Sequence, residues 1–186
     1  PLDRIDHIAF ILQLLGHFID STLRRRDLVK KLENLSYYDQ LTGVKNRHAL
    51  NEQLASLTKG QSLGVLYSDV MGLKQINDTF VHQAGDKALL YACENLKSHF
   101  PAECVYRIGG DEFLVLIPGI TENLFQSMIR SIQADMAEGS VHLALGSVWV
   151  DCTDNAEKTL SEADARMYED KRAYYAKNRQ LDRRRR

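Results

Sequence analysis

The sequence predicts an α+β fold: helices packed against a mixed sheet, with a long helix in front. Three observations predict it. Short apolar runs at residues 63–70, 103–108, 112–117 and 141–150 alternate with stretches whose apolar residues recur every three or four positions. Two of those runs are separated only by Gly109-Gly110-Asp111, the kind of link that joins antiparallel strands. Residues 1–36 contain a single glycine, Gly16, and no proline after Pro1, as a continuous helix requires.

Taken in order, residues 1–36 place Ile5, Ile8, Leu12, Leu15 and Ile19 on one helical stripe. After Arg24-Arg25-Arg26 the stripe resumes at Leu28, Leu32 and Leu35 in a shifted register. That pattern suits an amphipathic helix packed on its own domain. The preferred reading is a signalling and dimerisation helix, a parallel coiled coil that pairs two chains and carries a signal from an upstream sensory domain. Residues 63–70 read as a buried strand between Gly60 and Gly72, and 81–99 as a helix carrying Ala84, Leu89, Leu90, Ala92 and Leu96. Residues 103–108 and 112–117 form the hairpin, 122–137 a helix, 141–150 a strand and 158–175 a closing helix. The expected division is a helix at 1–36, a globular domain at 37–180 and a basic tail at 181–186, a solvated run of arginines at its end.

Composition narrows the function. The 186 residues carry 24 Lys plus Arg against 25 Asp plus Glu, a net charge of -1, which argues against a nucleic-acid binder. Anionic ligands must then be held by a few placed cations or by a metal. Three widely spaced cysteines without a CxxC pair argue against a disulfide framework or zinc site and point to a reducing, cytoplasmic setting. The first apolar stretch is too short and interrupted to insert into a membrane and lacks the flanks of a signal peptide. The chain opens on Pro1 rather than Met, as a piece of something longer would.

Two clusters carry chemistry. In the hairpin, Gly109 and Gly110 precede Asp111 and Glu112 at a turn between apolar strands. Glycines there are expected to allow positive φ and to remove the Cβ atoms that keep a ligand off the backbone. The second cluster runs from Asp69 to Asp86, starting at the carboxyl end of a strand, where ligands of such sheets gather. Asp69 beside a hairpin carboxylate makes an oxygen-rich pocket suited to magnesium and nucleotide phosphates. Lys74 suits a phosphate, and Asn77 and Asp86 suit the edge of a base. Singly, each is an ordinary surface polar group.

The string Gly109-Gly110-Asp111-Glu112-Phe113 resembles the motif that names the GGDEF family, the diguanylate cyclases. Three further stretches resemble family motifs in order and spacing: Asp39-Gln-Leu-Thr-Gly-Val-Lys-Asn-Arg47, the block from Asp69 to Asp86, and Ala163-Asp-Ala-Arg-Met-Tyr-Glu-Asp-Lys171. The likeness spans about residues 36–175. It implies a palm-like, nucleotidyl cyclase-type sheet, mostly antiparallel and surrounded by helices. It implies condensation of two GTP into cyclic di-GMP with release of two pyrophosphates, at a site shared by two facing subunits of a homodimer.

Residue by residue, the resemblance implies that Asp69, Asp111 and the Val70 carbonyl hold Mg2+, with Mn2+ as a substitute. It makes Glu112 the group that assists deprotonation of the 3′-hydroxyl, and Asn77 with Asp86 the pair that reads guanine. Lys74 and Lys171 fall near the phosphates, Gly109 and Gly110 beneath the nucleotide. Asp39 and Arg107 correspond to a pair that ties the opening motif to the strand before the hairpin, or to an ordinary ion pair. There are departures. Val81-His82 stands where Gly-His is usual, Met71 where Asp or Asn is common, and Tyr174-Tyr175 where a Gly-Arg usually supplies a phosphate-binding arginine. Phe100-Pro-Ala-Glu103 occupies the place of the Arg-x-x-Asp of an inhibitory product site, so feedback through that surface is not expected. A catalytically silent domain that binds GTP or only signals as a dimer, and a cyclase of altered nucleotide choice, are the alternatives. Retained Asp86 speaks against the second.

Overall fold

In the computed structural model, residues 2–80, 82–138 and 141–177 are described; Val81 and the arginine run at 181–186 fall outside them. The chain divides into two compact units, Pro1–Ser36 and Tyr37–Arg186. The first unit is a single helical rod, the bulk of α1 (Leu2–Tyr37), unbroken at Gly16 and through the register shift after the arginines. Alone it has nothing to bury its apolar side chains against. Leu14, Leu15, Phe18, Ile19, Leu28 and Leu32 are all exposed, Phe18 by 69%. Arg24 and Asp20 pair along it one turn apart, at 2.8 Å.

The second unit is a five-stranded mixed sheet with helices on both faces. In chain order it comprises β1 (Lys45–Asn46), α2 (Arg47–Ala55), β2 (Leu63–Val70), α3 (Leu73–Phe80), α4 (His82–His99), β3 (Val105–Arg107), β4 (Glu112–Pro118), α5 (Glu122–Glu138), β5 (Leu143–Val150) and α6 (Ala156–Lys177). The strands lie in the order β1-β3-β4-β2-β5. Only β1 and β3 run parallel; the three other pairings are antiparallel. Together these are the mostly antiparallel sheet and surrounding helices expected of a palm-like cyclase fold.

The side-chain period of two divides the strands between two cores. Leu66 and Val70 of β2, with Phe113, Val115 and Ile117 of β4, pack with Leu89, Cys93 and Leu96 of α4 and Phe125, Ile129 and Ile132 of α5. Leu63 and Val65, with Leu114 and Leu116, pack on the other face against Leu50 of α2 and Ala163 of α6. Both faces are covered, which is why β2 reads as one continuous apolar run instead of an alternating one.

α6 lies very close to the edge strand β5. A Cβ on Gly146 would fall on the Ala163 carbonyl oxygen and the Met167 backbone nitrogen. Asp170 accepts a hydrogen bond from the Leu145 N–H at 2.9 Å, and Arg166 donates to the Ser147 carbonyl at 2.6 Å. Only glycine permits this contact, because the obstructing atoms are backbone. Gly146→Val is therefore expected to cost about 3 kcal/mol or more, read as a fall in the urea midpoint of unfolding; an unchanged midpoint would contradict the packing.

Boundaries and elements differ from the sequence expectation in several places. The first hairpin strand spans only Val105–Arg107, because Ala102–Cys104 coil into a 3₁₀ turn after Pro101. β5 begins at Leu143 instead of residue 141. α2, α3 and the two-residue β1 were not anticipated as elements at all.

Candidate active site

The site is assembled where β2 and β4 meet. In their antiparallel register Asp69 lies opposite Glu112. The same period that sends Leu63 and Val65 to the α6 face sends Asp69 there, and Glu112 follows Leu114 and Leu116. The turn before Glu112 adds Asp111, whose carbonyl accepts the Val70 N–H at 2.9 Å and so ties the turn to the end of β2.

Asp69 is 3% exposed. Its Oδ2 accepts a hydrogen bond from the Lys171 ammonium of α6 at 2.7 Å, while its Oδ1 is buried without a partner. Burial pushes the Asp69 carboxyl above its ordinary range and the nearby charges of Asp111 and Glu112 push the same way; the bond from Lys171 opposes them without prevailing. Burial would also lower Lys171, yet its bond to Asp69 and the fields of Asp69 and Asp111 hold the ammonium above the usual lysine value. Both directions describe a buried carboxylate short of positive charge.

The turn is held from outside by two guanidinium groups. Arg107 donates to the Gly110 carbonyl at 2.7 Å and to Asp39 at 2.9 Å. Arg47 donates to the Ile108 carbonyl at 2.9 Å. The two thus grip carbonyls on either side of Gly109. Asp39 in turn accepts from the Thr42 amide and hydroxyl at 2.9 and 2.7 Å, which closes the loop that leads to β1.

Burial would raise the Asp39 carboxyl, but its bonds from Thr42 and Arg107 outweigh that and hold it below its ordinary value of 3.8. A depressed carboxyl contributes stability that is present above the unfolded value and lost as pH falls through the folded one. Asp39→Asn is therefore expected to destabilise the domain at neutral pH by about 1–3 kcal/mol. The loss relative to the parent should shrink as pH drops below 3.8. Thermal unfolding at neutral and acid pH checks this; a deficit constant across pH would contradict it.

The glycines of the turn work differently from expectation. Positive φ occurs at Gly43, Gly60, Gly72 and Gly119, not at Gly109 or Gly110. What Gly109 supplies is room: a Cβ there would stand 2.6 Å from Glu112 Oε2, so the bare backbone lets the Glu112 carboxylate fold back across it. Around Gly110 there is open space.

The remaining expected residues are placed as follows. Lys74 is exposed on the first turn of α3. Asn77 lies on α3, where its side chain is outside the description, and Asp86 is exposed on α4. Tyr174 and Tyr175 end α6 in an edge-to-face pair with centroids 5.6 Å apart, and His142 stacks at 5.5 Å on Tyr174. With Met71, Ala144 and Met167 the tyrosines make a small apolar cluster, so Met71, where a polar residue is common, is core. Phe100 is core as well. Arg47 was not singled out in the sequence, although it closes the opening motif at a fixed distance from Asp39.

Hard divalent cations prefer carboxylate and carbonyl oxygens. A buried, unpartnered Asp69 Oδ1 beside Asp111 and the end of β2 suits such an ion. Among the described residues no three His, Cys, Asp or Glu groups come together as a metal-holding cluster. No helix among the described residues is long and apolar enough to cross a membrane.

Residues 36–177 match the family described as diguanylate cyclase, GGDEF domain. Diguanylate cyclase DgcP of Escherichia coli K12 is 32% identical over 186 residues, a match that takes in 87% of this chain and 54% of DgcP. The chain therefore spans about half the length of that curated relative. The structure of diguanylate cyclase SiaD with its activator SiaC, from Pseudomonas aeruginosa, is similar with a TM-score of 0.66 at 27% identity, over 92% of this chain and 72% of that one. The coiled coil and GGDEF domain of DgcB from Caulobacter crescentus, in complex with c-di-GMP, is similar with a TM-score of 0.72 over 86% of this chain and 95% of that one. At 20% identity that last likeness shows the fold alone.

Proposed function

Because the chain belongs to the GGDEF domain family, we propose that it is a diguanylate cyclase: it condenses two GTP into cyclic di-GMP and two pyrophosphates at a site shared by two facing subunits. The observation that carries the proposal is the convergence of Asp69, Asp111 and Glu112 where β2 and β4 meet, with Lys171 bonded to Asp69. Few side-chain arrangements need a buried carboxylate with an unsatisfied oxygen; a metal-assisted nucleotidyl transfer site does.

In this reading Asp69, Asp111 and the Val70 carbonyl hold Mg2+, or Mn2+ in its place. The metal, when bound, neutralises charge on the triphosphate and polarises its phosphorus. The protein's own groups position and shield. Gly109, stripped of a Cβ, gives the Glu112 carboxylate its room over the turn, and Glu112 takes the proton of the 3′-hydroxyl. Lys171 and Lys74 face the phosphates. Asn77 and Asp86 read guanine, an aspartate accepting from the N1 and N2 donors that adenine lacks. In-line transfer then rests on positioning.

A GTP held on one subunit cannot bring its own 3′-hydroxyl in line with its own α-phosphate, so two subunits must meet as a homodimer. The exposed apolar side chains of α1 support its pairing with the same helix of a second chain. A sensory domain upstream and a cytoplasmic site of action complete the proposal. Purified protein incubated with GTP and magnesium should yield a cyclic dinucleotide of guanine, identified by chromatography against a standard. Bound GTP with no product would make the domain a catalytically silent signalling module.

A further inference from the structure

Lys171 supplies the positive charge beside Asp69. Its ammonium is bonded to Asp69 Oδ2 at 2.7 Å, with the Asp69 side chain 4% exposed and the lysine side chain 30% exposed. Asp111 and Glu112 add negative charge around the same carboxylate. Lys171 is bonded to Asp69 and lies in the field of Asp111 as well. With Lys171 on Oδ2, a divalent ion on Oδ1 would stand close to the ammonium, and repulsion between the two cations would weaken its binding.

The lysine can leave while its helix stays. α6 is fixed to β5 by Asp170 on Leu145, by Arg166 on Ser147 and by the contact that requires Gly146. Only the four-carbon stem of Lys171 is free to swing, and an ammonium on such a stem redirects its donors readily. A polyanion in front of the site would draw it off.

Resting on the assignment of Asp69 as a metal ligand, we propose that Lys171 is a placeholder for the metal: it neutralises Asp69 in the nucleotide-free protein and moves to the nucleotide phosphates when they arrive, so that divalent metal and nucleotide bind with positive coupling. Metal alone then competes with Lys171 and binds weakly. Metal presented together with a triphosphate meets a carboxylate the lysine has vacated. The coupling is reciprocal: metal improves nucleotide binding by the factor by which nucleotide improves metal binding.

The test is a titration of the full chain with Mn2+, read by the electron paramagnetic resonance of free ion, with and without a non-hydrolysable GTP analogue. In the parent, the analogue should tighten Mn2+ by about tenfold or more. Lys171→Met keeps the stem and removes the charge. It should bind Mn2+ alone about tenfold more tightly than the parent, and the analogue should then tighten it little further. Lys171→Arg, which keeps the charge, should retain weak binding of Mn2+ alone. Should Lys171→Met prove unstable without metal, Mn2+ must raise its melting temperature more than it raises the parent's. Lys171→Met that binds Mn2+ alone no better than the parent, while the parent still shows nucleotide-assisted binding, overturns the placeholder and leaves the metal site standing. Absence of Mn2+ binding to the parent under both conditions overturns the metal site, and the placeholder with it. None of these readouts requires turnover.

Discussion

Asp111→Asn is expected to abolish condensation of GTP, by about 10³-fold or more, while leaving the fold intact. The asparagine keeps the shape of the side chain and removes the charge that a divalent ion needs. It also leaves the turn as it is. What binds the turn to β2 is the Asp111 carbonyl on the Val70 amide, a backbone bond, and what holds it from outside is Arg107 on Gly110 and Arg47 on Ile108. Asp111 itself is only half-buried. The expected result is therefore a protein with the parent's unfolding midpoint and no product. Retained activity would remove Asp111 from the metal shell. Lost stability would mean that the turn depends on its charge.

Deleting residues 1–35 is expected to leave GTP binding largely unchanged and to lower specific activity at submicromolar protein by about 10²-fold or more. The lost rate should return as the protein concentration rises. The second unit keeps both of its cores without that segment, since every buried residue of the two main clusters lies beyond residue 36. What is removed is a helix with exposed apolar side chains among its described residues, Phe18 and Ile19 included. Joining two chains there raises the concentration of one catalytic face near the other without any new contact between the faces. Ile19→Glu with Leu15→Glu should mimic the deletion. Activity that is independent of concentration and equal to the full chain's would make the helix a passive linker.

Much of this was legible because the chemistry sits at ends of strongly patterned elements. β2 and β4 are mostly apolar runs that carry Asp69 next to last and Glu112 first, so the strands themselves place these acids. Antiparallel register then makes Asp69 and Glu112 neighbours. The Asp39–Arg107 bridge was visible as two motif positions, and the structure forms it at 2.9 Å.

What was hidden is what local pattern does not encode. α2 buries only Ala49 and Leu50, too few for a periodic signal, although Asn46 caps it through the Ala49 amide. β1 is two residues long and exists only because β3 lies alongside. Arg47 grips a carbonyl 61 positions away. The glycines of the hairpin suggested a left-handed turn, whereas Gly109 answers to the bulk of Glu112, a constraint no backbone propensity contains. Lys171 on Asp69 joins residues 102 positions apart, and nothing in the sequence shows that the lysine occupies the carboxylate first.

The central claim, that two GTP molecules are joined across two subunits of this chain, is tested most directly by counting products. With GTP and magnesium, the amounts of pyrophosphate and of cyclic dinucleotide are measured together at several protein concentrations. Two pyrophosphates per cyclic di-GMP, formed at a rate per subunit that climbs with concentration until the dimer is saturated, is the predicted result. Pyrophosphate without a cyclic dinucleotide, or no pyrophosphate from protein shown to bind GTP, would contradict it.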